Sequence, residues 1–368
     1  MKKPLENIRV IDLTHMLSGP YGAMILADLG ADTVKVEPPE KGEGTRRLLE
    51  KDEANSIDGM GAYFFTLNRN KRSVTLNLKN PRDLALFYEL VKVADVVINN
   101  FSAGVTKKLK VDYETLAALN PRIITCTVTG FGESGPAFQR PAFDQIAQAL
   151  GGGMSITGED KESVMRAGIP IGDLGGGMFA VMGVQAALLA RETTGRGQHV
   201  DISMLDCQIS MLNYMATMYA MSGLVPEPLG NSHFVHVPYN TFNTATDPIV
   251  ICIIGDVFWP ALKDLLAIDE LHAARFDTQP GRLAEKAFIE EHVSRVMKQH
   301  DADYWLERLE AARIPCARVN NVAQALADPQ VRARNMVVEV AHPVAGQAEV
   351  PGNPVKLSDT NEESFSPP

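Results

Sequence analysis

Short apolar runs alternate with helix-spaced apolar patterns through the N-terminal half of the chain. Ile8–Leu13 predicts a buried strand, Pro20–Leu29 a helix stopped by Gly30, and Thr33–Glu37 the next strand. Ser73–Leu78 is strand-like. Asn80-Pro81 then supplies an Asn cap and a first-turn proline for a helix running to about Val93. Asp95–Ile98, Arg122–Val128 and Gln198–Ser203 read as further strands, and Met178–Arg191 as a long helix. Strands alternating with helices predict an α/β fold: a Rossmann-like large domain whose parallel sheet carries helices on both faces.

Beyond this the pattern changes. Met204–Gly223 predicts one long, Met-rich apolar helix, and the Pro/Gly-containing stretch Val225–Gly230 a linker. A smaller α+β domain follows. Its expected elements are a strand at Ile249–Ile254, helices near Trp259–Leu266, Ala284–Lys298 and Ala302–Arg313, and a strand near Pro315–Val319. Met336–Leu357 predicts short strands that return to the large domain. The expected division is 1–205 large domain, 206–230 helix and linker, 231–324 small domain, and 325–368 returning segment.

Composition narrows the possibilities. The chain has 368 residues, 45% hydrophobic and 22% charged, and its net charge of -10 argues against nucleic acid as the main partner. No continuous apolar run approaches the roughly 20 residues of a membrane span, so no membrane partner is expected. The start Met1-Lys2-Lys3-Pro4-Leu5-Glu6 has no apolar signal core behind it. Four scattered cysteines (Cys126, Cys207, Cys252, Cys316) read as thiols in a reducing compartment, and a cytoplasmic location follows. With no Cys/His cluster, no metal site is expected. The first strand leads into Thr14-His15-Met16-Leu17-Ser18-Gly19-Pro20 and not into G-x-G-x-x-G, so the sheet carries no dinucleotide fingerprint.

The candidate chemistry centres on Asp173, within Gly168-Ile169-Pro170-Ile171-Gly172-Asp173-Leu174-Gly175-Gly176-Gly177. The segment reads as a glycine-rich turn ahead of the long helix. It would leave the carboxylate uncrowded and place free N–H donors near it. Those conditions suit a carboxylate nucleophile. The same acid also reads, locally, as a helix N-cap worth about 1 kcal/mol.

Collinear motifs weigh against the cap. They are Val10-Ile11-Asp12-Leu13-Thr14-His15 with Gly19-Pro20, then Leu26-Ala27-Asp28-Leu29-Gly30-Ala31-Asp32 running into Val34-Lys35-Val36-Glu37-Pro38-Pro39. Asn70-Lys71-Arg72-Ser73, Asn100-Phe101, Gly130-Phe131-Gly132, Gly172-Asp173, Thr194-Gly195-Arg196-Gly197-Gln198 and Val350-Pro351-Gly352-Asn353-Pro354 follow in order. In this series the chain resembles the class III coenzyme A transferases, with a pattern similar to members that use oxalate and other small dicarboxylates.

The resemblance implies an interlocked homodimer and an enzyme that moves coenzyme A (CoA) from an acyl-CoA to a free carboxylic acid, with the thioester as substrate and no separate cofactor. It matches Asp173 to the nucleophile, which forms an acyl anhydride and then a CoA thioester. It places His15, Met16, Leu17, Ser18, Asn100 and Phe101 against CoA, Lys108 near its phosphates, and Phe143-Asp144 along the thioester pocket. Pro38 stands where some members carry an arginine; Arg46, Arg47, Lys71 and Arg72 are candidates to replace it. A 2-methylacyl-CoA racemase of the same fold would place a His base where Phe143 stands, and phenylalanine cannot take a proton. The competing functions that remain are a CoA-dependent lyase and a non-catalytic acyl-CoA binding protein. Gly230, Asn231 and His233, in Gly230-Asn231-Ser232-His233, resemble a loop that meets the second carboxylate of a dicarboxylate. His233 and His236 otherwise read as loop packing.

Overall fold

The computed structural model describes residues 2–57, 59–343 and 346–368. The chain forms two compact units. The first comprises residues up to Met154, Arg166–Val225 and Pro329–Pro368; the second comprises Ser155–Met165 and Pro226–Asp328. Ser155–Met165, expected in the large domain, thus belongs to the second unit.

The first unit is built on six parallel strands: β1 (Arg9–Asp12), β2 (Asp32–Glu37), β3 (Lys71–Thr75), β4 (Val96–Asn99), β5 (Ile124–Thr129) and β6 (His199–Ser203). They lie in the order β3-β2-β1-β4-β5-β6. Registers such as Val10↔Thr33 and Val10↔Val96 put β2 and β4 on either side of β1. The order therefore reverses at β1, and such a switch point opens a crevice at the C-terminal ends of the strands. Val10, Val96, Ile98, Ile124, Cys126 and Val128 face α1 (Ser18–Asp28) and α7 (Ile171–Thr194), which contribute Leu26, Ala180 and Val184. Ile11, Val36 and Val97 face the other way, onto Phe87 and Val91 of α3 (Pro81–Val93) and Leu116 of α5 (Tyr113–Leu119). Successive strand residues point to opposite faces, so the near-continuous apolar runs serve both layers. Between α3 and α5 lies the short α4 (Val105–Leu109).

Two long-helix expectations need correction. Helix α7 starts at Ile171, so Gly175–Gly177 are helical and not a turn. Glycine is a weak helix former, but here its missing side chain is what packing requires. A Cβ on Gly177 would lie 2.7 Å from the Ser18 carbonyl oxygen, and one on Gly22 3.0 Å from the Gly177 carbonyl oxygen. The stretch Met204–Gly223 is two helices, α8 (Met204–Leu212) and α9 (Tyr214–Ser222), broken at Asn213 by φ 49° and ψ −122°. Helix α7 is also long and apolar enough to cross a membrane, a match that counting unbroken apolar runs overlooks. In this fold it is a core helix, with Ala180, Val184, Ala187 and Leu188 buried.

In the second unit β7 (Tyr239–Phe242), β8 (Ile249–Cys252) and β9 (Cys316–Arg318) form an antiparallel sheet in the order β9-β8-β7. β7 has no counterpart in the sequence reading. Helix α10 (Trp259–Leu266) and two longer helices, Lys286–Met297 and Ala302–Ala311, close a core around Trp259, Ile251, Ile289 and Trp305. The C-terminal hairpin β10 (Val337–His342) and β11 (Gly346–Pro351) lies in the first unit and packs Val338, Val340 and Val350 on Phe65.

Buried charge anchors the crevice floor. Asp12 is fully buried, its carboxylate 2.9 Å from the Lys71 Nζ and 3.7 Å from that of Lys35. Lys35 donates to the Thr14 carbonyl at 2.7 Å, and Lys71 to the Pro20 carbonyl at 3.0 Å. The two ammonium groups thus hold both ends of the β1–α1 connection. Burial alone would raise the Asp12 pKa, but the two lysines and its hydrogen bonds outweigh it and hold the group down at about 2. Burial and the neighbouring Lys35 bring Lys71 down to about 8 despite Asp12. Because the Asp12 pKa is depressed on folding, its stabilising contribution is present above about pH 4 and is lost as the pH falls toward 2. Asp12→Asn should lower the urea-unfolding free energy by ~3–5 kcal/mol, because two buried lysines lose their counter-ion; a loss below about 1 kcal/mol would contradict this.

Candidate active site

A cavity of about 710 Å³ opens where the sheet order reverses, with His15, Met16, Glu43, Pro38, Phe101 and Lys79 among its lining residues. The connection after β1 is held open by polar contacts. The His15 N–H donates to Asn100 Oδ1 at 2.9 Å, and Asn100 Nδ2 returns to the His15 carbonyl at 2.7 Å. The Asn100 amide is therefore engaged in setting the loop. Phe101 sits beside the His15 ring, centroids 5.8 Å apart. Met16 adopts φ +64°, uncommon for a non-glycine residue, and its N–H donates to the buried Glu43 carboxylate at 2.9 Å. Leu17 occupies the N-cap position of α1 and offers no side-chain cap. Ser18 is buried, and its Oγ has no hydrogen-bond partner among the described residues.

The basic candidates stand elsewhere. Arg72 is exposed and pairs with Asp32 at 2.6 Å. Lys71 is committed to Asp12. Arg46 pairs with Glu37 at 2.7 Å and lies over the Phe64 ring, while Arg47 donates to the Lys41 carbonyl. Lys108 is exposed on α4, and its neighbour Leu109 reaches the cavity instead. The lysine lining the cavity is Lys79, which is not among the basic residues expected near CoA. Its position just past β3, ahead of the Asn80 cap, was the available signal.

Asp173 is the third residue of α7, and Pro170 takes the N-cap position, so Asp173 is not the cap of this helix. The expected free N–H groups at this helix start are also corrected. Ile171 N–H donates to the Ile169 carbonyl and Leu174 N–H to that of Pro170. Gly172 and Asp173 donate at 2.8 and 3.2 Å to Oδ1 of Asp144, the first residue of α6 (Asp144–Leu150). Asp144, expected along the thioester pocket, is thus spent on the start of α7. Phe143 precedes it and is 70% exposed.

The Asp173 carboxyl is half-buried and has no cation paired with it among the described residues. Burial first, and the negative charge of Asp144 second, push its pKa up to about 6. Tyr63, on the short helix Ala62–Asn68, is pushed up to about 12, chiefly by burial and then by the charges of Asp173, Glu43 and Asp144. The phenol therefore stays protonated in acidic surroundings. Burial lowers the His15 pKa, with Glu43 opposing, and favours the neutral ring.

In the second unit the Gly230–His236 loop is tied down. Gly230 N–H donates to the Gly158 carbonyl at 2.9 Å, so it is no free donor. His233 Nδ1 accepts the N–H groups of Val235 and His236 at 3.0 and 3.2 Å. The neutral ring must then carry its proton on Nε2. Burial first, then the adjacent His236, lower its pKa. Asn231 is exposed.

Comparison with known proteins identifies the family. Residues 5–368 match the model of CoA-transferase family III. The chain is 38% identical to acetyl-CoA:oxalate CoA-transferase of Acetobacter aceti, over 97% of this chain and 90% of that protein. It is 37% identical to succinate–glutarate CoA-transferase of Agrobacterium fabrum, over 92% and 86%. A crystal structure of a CAIB/BAIF family protein from Brucella suis superposes with a TM-score of 0.88 at 35% identity, covering 98% of this chain and 94% of that one. The chain belongs to CoA-transferase family III, and it is an enzyme that transfers coenzyme A.

The carboxyl of Asp173 should titrate with a midpoint near 6, followed by infrared difference spectroscopy against Asp173→Asn. Its upward shift means that ionisation costs the folded state stability as pH rises from about 4 through about 6. A midpoint near the ordinary value of about 4 would contradict the described environment.

Proposed function

We propose that the enzyme transfers CoA from an acyl-CoA to a small dicarboxylic acid, with Asp173 as the covalent relay. The observation that carries this reading is a half-buried carboxylate, lifted to about 6 with no cation to quench it, in a family III CoA-transferase. Above that midpoint the group is ionised, and its raised basicity makes it a better nucleophile than an ordinary carboxylate.

Asp173 attacks the thioester carbonyl, giving an acyl-aspartyl anhydride and CoA thiolate. The thiolate attacks the aspartyl carbonyl of the anhydride, leaving an aspartyl-CoA thioester and the free donor acid. The acceptor carboxylate attacks that thioester to form a new anhydride and thiolate. Attack of the thiolate on the acceptor's acyl carbon releases the new acyl-CoA and restores Asp173. Each tetrahedral intermediate carries an oxyanion. Since the first-turn N–H groups of α7 are already used, the uncapped start of α1 at Ser18 and Gly19 supplies the donors. Lys79, lining the cavity, serves the CoA phosphates.

The dicarboxylate preference is supported by the oxalate and glutarate named for two relatives and by the donors of the loop. Within that loop the Asn231 amide and the His233 Nε2–H are groups able to bind a carboxylate. An acceptor lacking a second carboxylate leaves those donors without a charged partner, which favours the dicarboxylate.

The exposed apolar side chains of α6 to α9 support a homodimer. Leu150, Met182, Leu189, Ile209, Tyr219 and Met221 are each at least half exposed, and no residue of α9 is buried. Faces of this kind mark association surfaces. Sedimentation should give a dimer even at nanomolar concentration; a monomer there would overturn the assignment.

The function is tested by a matrix of acyl-CoA donors against free acids, read by the mass of the CoA esters formed. Small dicarboxylates should be the preferred acceptors, and Asp173→Ala should lower turnover by roughly a thousandfold or more while remaining folded. His233→Ala should raise KM for the acid far more than KM for acyl-CoA. Near-normal turnover by Asp173→Ala would sink the nucleophile, and preference for a plain fatty acid would sink the acceptor class.

A further inference from the structure

Resting on the reading of Asp173 as nucleophile, we propose that Asp144 and Gln148, one turn apart on α6, are positioning residues. They form a clamp that fixes the first turn of α7 and with it the Asp173 carboxylate. Pro170, at the N-cap position of α7, has no side-chain acceptor to offer. Asp144 does the capping from another helix, its Oδ1 accepting the N–H groups of Gly172 at 2.8 Å and Asp173 at 3.2 Å. Its other oxygen, Oδ2, accepts from Gln148 Nε2 at 2.8 Å. Gln148 Oε1 in turn accepts the Ala167 N–H at 2.9 Å, on the segment that leads into the helix. Gln148 is only 2% exposed, so water does not compete for these bonds.

The clamp has one workable order of donors and acceptors. A backbone N–H can only donate, so Gln148 must turn its oxygen to Ala167 and its NH₂ to position 144. The group at 144 must then accept both from Gln148 and from the two α7 amides. A carboxylate does so; a carboxamide cannot without turning a donor toward a donor. The fit is tight as well, since a Cβ on Gly172 would lie 3.0 Å from Asp144 Oδ1 and 3.1 Å from the Asp144 carbonyl oxygen. The nucleophile's own peptide N–H is one of the clamped groups, so a shift of the clamp moves Asp173 directly.

This logic predicts a rescue. Asp144→Asn places an NH₂ against the Gln148 NH₂, and Gln148→Glu places a carboxylate against that of Asp144. The double variant Asp144→Asn/Gln148→Glu restores every bond. The carboxamide oxygen now at position 144 accepts from α7, and its NH₂ donates to the carboxylate now at position 148. That carboxylate in turn accepts from Ala167. Steady-state kinetics with the acyl-CoA and acid pair that the wild type turns over fastest should show each single variant losing about 10–100-fold in kcat, with KM for acyl-CoA within about threefold. The double variant should recover to within about fivefold of wild type. Amide hydrogen exchange should quicken at Gly172 and Asp173 in the single variants and slow again in the double. This second readout needs no substrate. Single variants with wild-type kcat, or a double variant no better than its poorer parent, would overturn the clamp. If exchange follows the rescue but Asp173→Ala turns over normally, the clamp stands as a feature of the fold and its catalytic role falls with the nucleophile reading.

Discussion

Backbone contact between α1 and α7 is the constraint on which the site depends. Gly22 and Gly177 let the two backbones approach, and Gly176 leaves room for the Ser18 side chain: a Cβ at Gly176 would lie 2.6 Å from Ser18 Oγ. The closeness sets the second turn of α7, just beyond Asp173, against the start of α1, which ends the connection from β1. Glycine's intrinsic cost in a helix, about 1 kcal/mol per residue, is offset by this approach.

A second contrast in the first unit is electrostatic: several of its acids are paired with cations, whereas the buried Glu43 is satisfied by the Met16 N–H and by Thr45, and Asp173 has no cation paired with it among the described residues. Asp12 has two lysines, Asp28 has Arg69 at 2.6 Å, Glu37 has Arg46, and the more exposed Asp32 has Arg72. For Asp12 and Glu37 these partners outweigh burial and hold the carboxyl below its ordinary range. Asp173 has burial and a like charge instead, and both raise its pKa. The contrast separates a structural acid from a reactive one more sharply than position in the sequence does.

Much of this was legible in the sequence. The apolar runs located the parallel strands, because strands buried on both faces are continuous in character, and motif order located Asp173. What sequence periodicity could not supply was anything set by contact across the chain. Gly175–Gly177 read as a turn because propensity is local, whereas α1, which packs against Gly176 and Gly177, is far away along the chain. Asn213 breaks an otherwise uniform apolar stretch by its backbone angles. Arg46, Lys71 and Arg72 look free in sequence because their partners lie on other strands and turns, at Glu37, Asp12 and Asp32. Gln148, Tyr63 and Glu43 carry no motif, yet they hold or face the site. The motifs include Asn100 and Asp144, but the hydrogen bonds of both side chains give them to the backbone.

The central claim is that Asp173 carries CoA covalently. It is tested most directly by mixing the enzyme with acyl-CoA in the absence of acceptor, quenching in acid, digesting, and weighing the peptides. The account predicts that the peptide containing Asp173 gains the mass of CoA less one water, and that hydroxylamine converts this adduct to a hydroxamate at the same residue. An unmodified Asp173 peptide from enzyme that is actively turning over, or an adduct on another residue, would contradict it.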